Sequence, residues 1–247
     1  MKKNIFLAVL LMWTATCLQA QNILDSIEVV YNKILQGEEV PEAQGVEQDM
    51  VVTNQHHRIL LFGDSMLDGV GRRMNDYAHA NGHTLFTSIW YGSTTKSWAY
   101  TTELPRLLKK VDPTFVIVCL GTNDLGYYDI PVRAAAVREI MREIGNIPFV
   151  WIGPVTLRSI KKDPGIVDMI RQNVGADRFY DSYNLRISRG PDGIHPTFPA
   201  AAHWTDDVAR WMSSAETAYP IQMNVPSASV PFKNYETHKT SYKGKQK

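Results

Sequence analysis

Four strand-like segments, each ended or closely followed by a glycine, most restrict the fold of this 247-residue chain. They cover residues 58–63, 84–90, 115–120 and 149–152, and a weaker fifth lies near 178–181. The first, third and fourth contain uninterrupted apolar runs, which are typical of strands buried on both faces of a parallel sheet. Apolar residues at helical spacing separate or follow these segments, near 66–81, 102–110, 132–144, 165–173 and 199–213. This alternation predicts an α/β fold, a five-stranded parallel sheet with helices on both faces.

The predicted strand ends gather polar residues at one edge of this sheet. Ser65 follows the first strand, Gly92 the second and Asn123 the third. Open parallel sheets bind their ligands beyond the carboxyl ends of the strands. The expected functional site therefore lies where these three loops meet.

Gly63-Asp64-Ser65 is the first of these loops, and a helix-like segment follows it directly. The first backbone N–H groups of a helix lack intrahelical acceptors and point toward whatever lies before them. A serine hydroxyl there is placed to attack a carbonyl, while the N–H groups hold the resulting oxyanion. The alternative is that Asp64 or Ser65 only caps the helix.

A base for this serine is sought among the seven histidines, and His195 stands out because Asp192 lies three residues before it. Asp-x-x-His lets one loop present a carboxylate that fixes the imidazole, whose other nitrogen takes the serine proton. The alternative is a turn in which Asp192 is a capping residue. The serine does not lie in the Gly-x-Ser-x-Gly elbow of the α/β-hydrolases.

With these motifs in order, residues 58–212 resemble the SGNH subgroup of the GDSL hydrolase family. The resemblance rests on Gly63-Asp64-Ser65, Gly92, Gly121-Thr122-Asn123-Asp124 and Asp192-Gly193-Ile194-His195. It implies a flavodoxin-like three-layer α/β/α sandwich that hydrolyses carboxylic esters without a metal or cofactor. It also implies Ser65 as nucleophile, His195 as base and Asp192 as its orienting group. The backbone N–H groups of Ser65 and Gly92 and the Asn123 amide would form the oxyanion hole; otherwise Asn123 is a turn residue.

The chain outside this region divides into three predicted segments. Residues 1–20, with Lys2, Lys3 and an apolar stretch, resemble a signal peptide and predict a secreted or periplasmic protein. Cys17 offers a less favoured alternative, a lipid anchor. Residues 21–56 are expected to form a helix and an acidic linker before the domain at 57–218. Residues 219–247, with five lysines and one glutamate, predict a mobile basic tail.

The remaining features limit the classes of partner. A formal net charge of +1 gives no indication of nucleic-acid binding, and no stable membrane insertion is expected after signal cleavage. His56 and His57 lack partners at metal-ligand spacing, so no metal site is expected. The aromatic residues of the site loops either contact sugar rings or an acyl group, or close the core. The oligomeric state is left open.

Together these features predict a serine esterase that removes short acyl groups, such as O-acetyl, from a glycan or small molecule. Export, aromatic site loops and the lack of a long apolar insertion that could serve as a lid favour this substrate class. A lipase or lysophospholipase and an acyltransferase remain alternatives with the same residues. The alternative of another class is a binding module that has kept the fold without catalysis.

Overall fold

The computed structural model describes residues 55–157, 159–160 and 162–247. The predicted signal segment, Cys17 and the helix expected over residues 21–35 lie outside the described residues. The strands are β1 (Arg58–Gly63), β2 (Thr84–Trp90), β3 (Phe115–Cys119), β4 (Phe149–Ile152), β5 (Phe179–Tyr180) and β6 (Tyr235–His238). The helices are α1 (Leu67–Ala80), α2 (Thr95–Ala99), α3 (Glu103–Val111), α4 (Ile130–Ile144), α5 (Ile166–Val174) and α6 (Phe198–Met212).

All strands are parallel, in the order β5-β4-β3-β1-β2-β6. The part of this order from β2 to β5 is the flavodoxin-like one, in which the chain direction across the sheet reverses beside β1 and β3. The predicted α/β fold is thus confirmed, with six strands in place of the five expected. The crevice of such a sheet lies at the carboxyl ends of β1 and β3, where Ser65 and Asn123 follow.

Alternate residues of the strands fill two cores, one on each face of the sheet. Leu60 and Phe62 of β1 face the core closed by α2, α3, α4 and α5. Ile59 and Leu61 face the core closed by α1 and α6. Since β1 is buried on both sides, it reads as one continuous apolar run in the sequence. Among the described residues, no helix is both long and apolar enough to cross a membrane.

The sixth strand corrects the prediction for residues 219–247. We predicted a mobile tail, but β6 lies within it and pairs with β2, with Trp90 opposite His238. Ile221 and Met223 of the same segment are buried against the core on the α6 face. The segment is therefore part of the sheet and its core. Its lysines, which suggested a solvated tail, do not prevent this because β6 is an edge strand with one side chain in two exposed.

The loop after β2 also differs from the prediction, because it contains the short helix α2. Thr94 and Ser97 form a reciprocal capping box at its start. Such a box satisfies backbone N–H groups that the first turn of a helix leaves free. The five-residue helix buries Trp98 and Ala99 and fixes the loop that follows Gly92.

Candidate active site

Ser65 lies in a tight turn between β1 and α1 that is built against the end of β3. A Cβ atom at Gly63 would lie 2.0 Å from the carbonyl oxygen of Cys119, so no side chain fits there. The Asp64 N–H donates to the same carbonyl at 3.2 Å, and Asp64 Oδ1 accepts the Met66 N–H at 3.0 Å. The Asp64 carboxylate, rather than Ser65, thus supports the start of the helix. The Ser65 hydroxyl remains available for the crevice.

The structure brings Ser65, His195 and Asp192 into hydrogen-bonding contact. His195 Nε2 lies 2.8 Å from Ser65 Oγ, across 130 residues of sequence. His195 Nδ1 lies 2.6 Å from Asp192 Oδ2. Because Asp192 is a carboxylate and only accepts, Nδ1 carries the proton and Nε2 accepts from the serine hydroxyl. An arrangement of this kind is chemically able to activate a hydroxyl nucleophile.

The loop that carries Asp192 and His195 is held by its own backbone. Asp192 Oδ1 accepts the N–H groups of Ile194 and His195 at 2.8 and 3.0 Å. The Gly190 N–H donates to the His195 carbonyl at 2.9 Å, and Gly193 takes a φ of 68° that favours glycine. The loop therefore presents carboxylate and imidazole in a fixed relation.

These hydrogen bonds also set the charge of Asp192. The contact with His195, followed by the two backbone N–H groups, lowers the pKa of Asp192 to about 2. The side chain is half exposed, with 49% of its surface accessible. Asp192 is thus a carboxylate throughout the pH range in which His195 can act as a base.

Arg189 also supports this loop through hydrogen bonds, a role that the sequence alone does not indicate. Its guanidinium donates to the Ile194 carbonyl and, at 2.5 Å, to the Thr156 carbonyl beyond β4. Arg189 thereby joins the Asp192–His195 loop to the carboxyl edge of the sheet. An arginine three residues before Asp192 is the only sequence signal for it, and the partners are backbone atoms that no motif encodes.

Asn123 and the loop of Gly92 meet at the same edge. The Asn123 amide donates from Nδ2 to the Ser93 carbonyl at 2.9 Å, which leaves its second N–H hydrogen for another acceptor. Gly92 has a φ of 71°, and a Cβ there would lie 2.9 Å from Thr240 Cγ2. Trp98 Nε1 in turn donates a hydrogen bond to the Ser93 hydroxyl at 2.9 Å. The predicted oxyanion donors thus lie on loops tied directly to each other.

A buried ion pair behind Asn123 reinforces this connection, and the sequence analysis missed it. Asp124 is fully buried and accepts from the Thr95 N–H at 2.9 Å and the Thr95 hydroxyl at 2.8 Å. Its other partner is Arg133, 4% exposed, which also donates to Asp129 at 2.9 Å. Because Thr95 begins α2, Asp124 follows Asn123 and Arg133 lies in α4, the cluster joins these three elements. Removal of one partner would leave an uncompensated buried charge.

Asp64 is a second buried carboxyl at the site, and it has no solvent exposure. Burial is the main cause that raises the pKa of Asp64 to about 7. The nearby Asp124 acts in the same direction, whereas the backbone N–H groups of Met66 and Thr122 lower the pKa. A substantial fraction of Asp64 is therefore neutral at pH 7, which limits the negative charge beside Ser65.

The described residues contain one group of side chains close enough to share a metal ion, namely Glu103, Glu236 and His238. It lies around β6, and Arg106 contacts both glutamates while Lys110 donates to Glu236 at 2.8 Å. These two cations already neutralise the carboxylates. His56, by contrast, bonds the Gly82 carbonyl at 2.8 Å, and His57 packs edge-on against His83.

The aromatic residues of the site loops divide between the two alternatives. Trp90 and Trp98 are buried and belong to the core. Tyr100, Tyr127 and Tyr128 are 38%, 51% and 82% exposed. These three tyrosines are the exposed members of the set and offer ring surface to a ligand.

Neither the comparison with protein-family models nor that with curated proteins gives a match. Among solved structures, the chain is similar to a psychrotrophic esterase EstA from Pseudoalteromonas sp., with 17% identity and a TM-score of 0.49 over 63% of this chain and 98% of that one. It is similar to an acetyl xylan esterase, AlAXEase, with 13% identity and a TM-score of 0.45 over 61% and 96%. It is also similar to a two-domain esterase active on acetylated mannans, with 14% identity and a TM-score of 0.49 over 69% of this chain and 52% of that one. Likenesses this distant carry no argument about the reaction.

Proposed function

We propose that this protein is an exported serine esterase of the SGNH type that hydrolyses short acyl esters, such as O-acetyl groups on a glycan. The observation that carries the proposal is the 2.8 Å contact between Ser65 Oγ and His195 Nε2, with Asp192 on the opposite side of the imidazole. A binding module needs no such contact. The rest of the proposal follows from how the surrounding groups would serve each step.

In the first step Ser65 Oγ attacks the carbonyl carbon of the ester, and its proton passes to His195 Nε2. Asp192 accepts the Nδ1–H and stabilises the imidazolium that forms. Because Asp192 also accepts two backbone N–H groups, its orientation does not depend on the imidazole alone. The loop is thus preorganised before substrate binds.

The carbonyl oxygen becomes an oxyanion in this step. The N–H groups of Ser65 and Gly92 and the second amide hydrogen of Asn123 would stabilise it. Donors that are fixed before the reaction stabilise developing charge without reorganisation. The Asn123 bond to Ser93 and the Asp124–Arg133 pair behind it provide that rigidity.

Collapse of the intermediate breaks the bond between the carbonyl carbon and the alcohol oxygen. His195 gives its proton to the departing alcohol, which leaves an acyl group on Ser65. Water then attacks this acyl-enzyme with His195 as base, and a second collapse releases the acid and restores the Ser65 hydroxyl. No step draws on a group outside the protein and water.

The experiment that tests this proposal combines labelling with turnover. A fluorophosphonate should label the protein covalently at Ser65, and Ser65→Ala should remove both labelling and hydrolysis of 4-nitrophenyl acetate. Loss of the nucleophile of a comparable serine triad costs about 10⁶ in kcat. Ser88→Ala is a control, because Ser88 is also a buried serine but lies within β2. Labelling that persists in Ser65→Ala, or hydrolysis above a few per cent of wild type, would refute the assignment.

A further inference from the structure

We propose that the exposed face of Tyr127 is a binding position for a sugar ring of the alcohol part of the substrate, an oligosaccharide ester. This inference rests on the proposed function, since it specifies what the same site accepts. It begins from the turn that carries Tyr127. The N–H of Tyr127 donates to the Asp124 carbonyl at 3.3 Å.

The backbone of this turn is of type II, which places Tyr127 close to Asn123. Leu125 has φ and ψ of −56° and 138°, and Gly126 has a φ of 83°. These angles match the two central positions of a type II turn, in which glycine is preferred at the second. The α-carbons of the first and last residue of such a turn lie within about 7 Å. Tyr127 is therefore held near Asp124, the neighbour of Asn123.

The ring of Tyr127 packs against Arg133. The Arg133 guanidinium lies 4.1 Å from the ring centroid, and Arg133 is itself held by Asp124 and Asp129. Tyr127 nevertheless remains 51% exposed, so about half of its surface faces solvent. A rigid aromatic ring with one free face costs little conformational entropy when a ligand packs on it. The C–H face of a pyranose is such a ligand.

A groove lies beside the turn that carries Tyr127. A Cβ atom at Gly126 would lie 3.0 Å from Ile160 Cδ1, so the turn lies directly against Ile160. Ile160 lines a groove of about 610 Å³, which is also lined by Arg189, the residue that holds the Asp192–His195 loop. The polar side chains of Thr156, Asn184 and Ser188 line it alongside apolar ones. A mixed lining of this kind and a volume of several hundred Å³ suit a ligand larger than a single acetyl ester.

The test compares oligosaccharide esters with a sugar-free ester in one protein. We would measure kcat and KM for acetylated xylotetraose and acetylated mannotetraose, and for 4-nitrophenyl acetate, which has no sugar. For the oligosaccharide that the wild type hydrolyses better, Tyr127→Ala should raise KM roughly tenfold and lower the ratio of its kcat/KM to that of 4-nitrophenyl acetate by the same factor. Tyr127→Phe should restore the ratio, because the ring and not its hydroxyl makes the contact. Tyr128→Ala, at the more exposed neighbour, should leave the ratio unchanged.

The outcomes separate this proposal from the proposed function. If the wild-type protein does not hydrolyse 4-nitrophenyl acetate, the proposed function fails. If it does so but hydrolyses neither oligosaccharide, the sugar-binding position is refuted and the esterase stands. An unchanged ratio in Tyr127→Ala, or an equal fall in Tyr128→Ala, would also refute it. A fall in kcat on both substrates would mean that Tyr127 only supports the Asn123 loop, which contradicts the proposal.

Discussion

The buried carboxyl of Asp64 should make the free energy of unfolding depend on pH in a way that Asp64→Asn removes. The folded protein holds the pKa of Asp64 at about 7, whereas the ordinary value is 3.8. Between these two pH values the folded state binds a proton that the unfolded state releases. Stability that this proton supplies is fully present below pH 3.8 and is lost as the pH rises through 7.

The magnitude follows from the difference between the two pKa values. A difference of about 3 units corresponds to about 4 kcal/mol over the whole range. From pH 5 to pH 8, which is accessible to experiment, the loss is about 2–3 kcal/mol, most of it below pH 7. Asp64 is completely buried, so solvent does not screen this effect. Asn in its place cannot ionise, and its contribution is constant with pH.

Urea unfolding at pH 5, 6, 7 and 8 measures this dependence directly. The free energy of unfolding of wild type should fall relative to that of Asp64→Asn by about 2–3 kcal/mol across the series. Asp112→Asn is the control, because its carboxylate is 89% exposed, and its pH profile should follow that of wild type. If wild type and Asp64→Asn have parallel profiles, Asp64 is ionised in the folded protein and our account of this buried site is wrong.

Three further predictions concern the site and its support. Asn123→Ala should lower kcat on a soluble acetyl ester about 10²–10³-fold with little change in KM, since in the proposed mechanism its amide would stabilise the transition state. A folded variant with kcat within a few-fold of wild type would make Asn123 only a turn residue. Gly63→Ala should lower Tm by more than roughly 5 °C, because its Cβ would lie 2.0 Å from the Cys119 carbonyl oxygen. Gly190→Ala should be tolerated, because the nearest atom outside its chain neighbours would lie 3.7 Å from its Cβ. Equal Tm values for the two variants would contradict this. Dialysis against EDTA should leave kcat unchanged, and activity lost to EDTA and restored by zinc would replace the proposed mechanism with a metal-activated water.

The sequence predicts the interior of this fold better than its edges, and the reason is physical. Strands β1, β3 and β4 are buried on both faces, so each appears as an apolar run whose end is marked by the loss of apolar residues. Strand β6, Tyr-Glu-Thr-His, lies at the edge and is only half buried. Its pairing with β2 is a contact between distant segments, which no local pattern encodes. The strand was therefore assigned to a tail.

The same distinction applies to the site. Ser65, Asp192 and His195 could be proposed because each lies in a short motif at a predicted strand end, and the structure places all three in contact. Asp124 and Arg133 could not, because an acid and an arginine nine residues apart indicate nothing until α4 turns one toward the other. Yet the buried pair holds Asn123 on one side and Tyr127 on the other. The groups that would perform the chemistry can therefore be recognised in the sequence. The groups that would hold them rigid can be identified only from the tertiary packing.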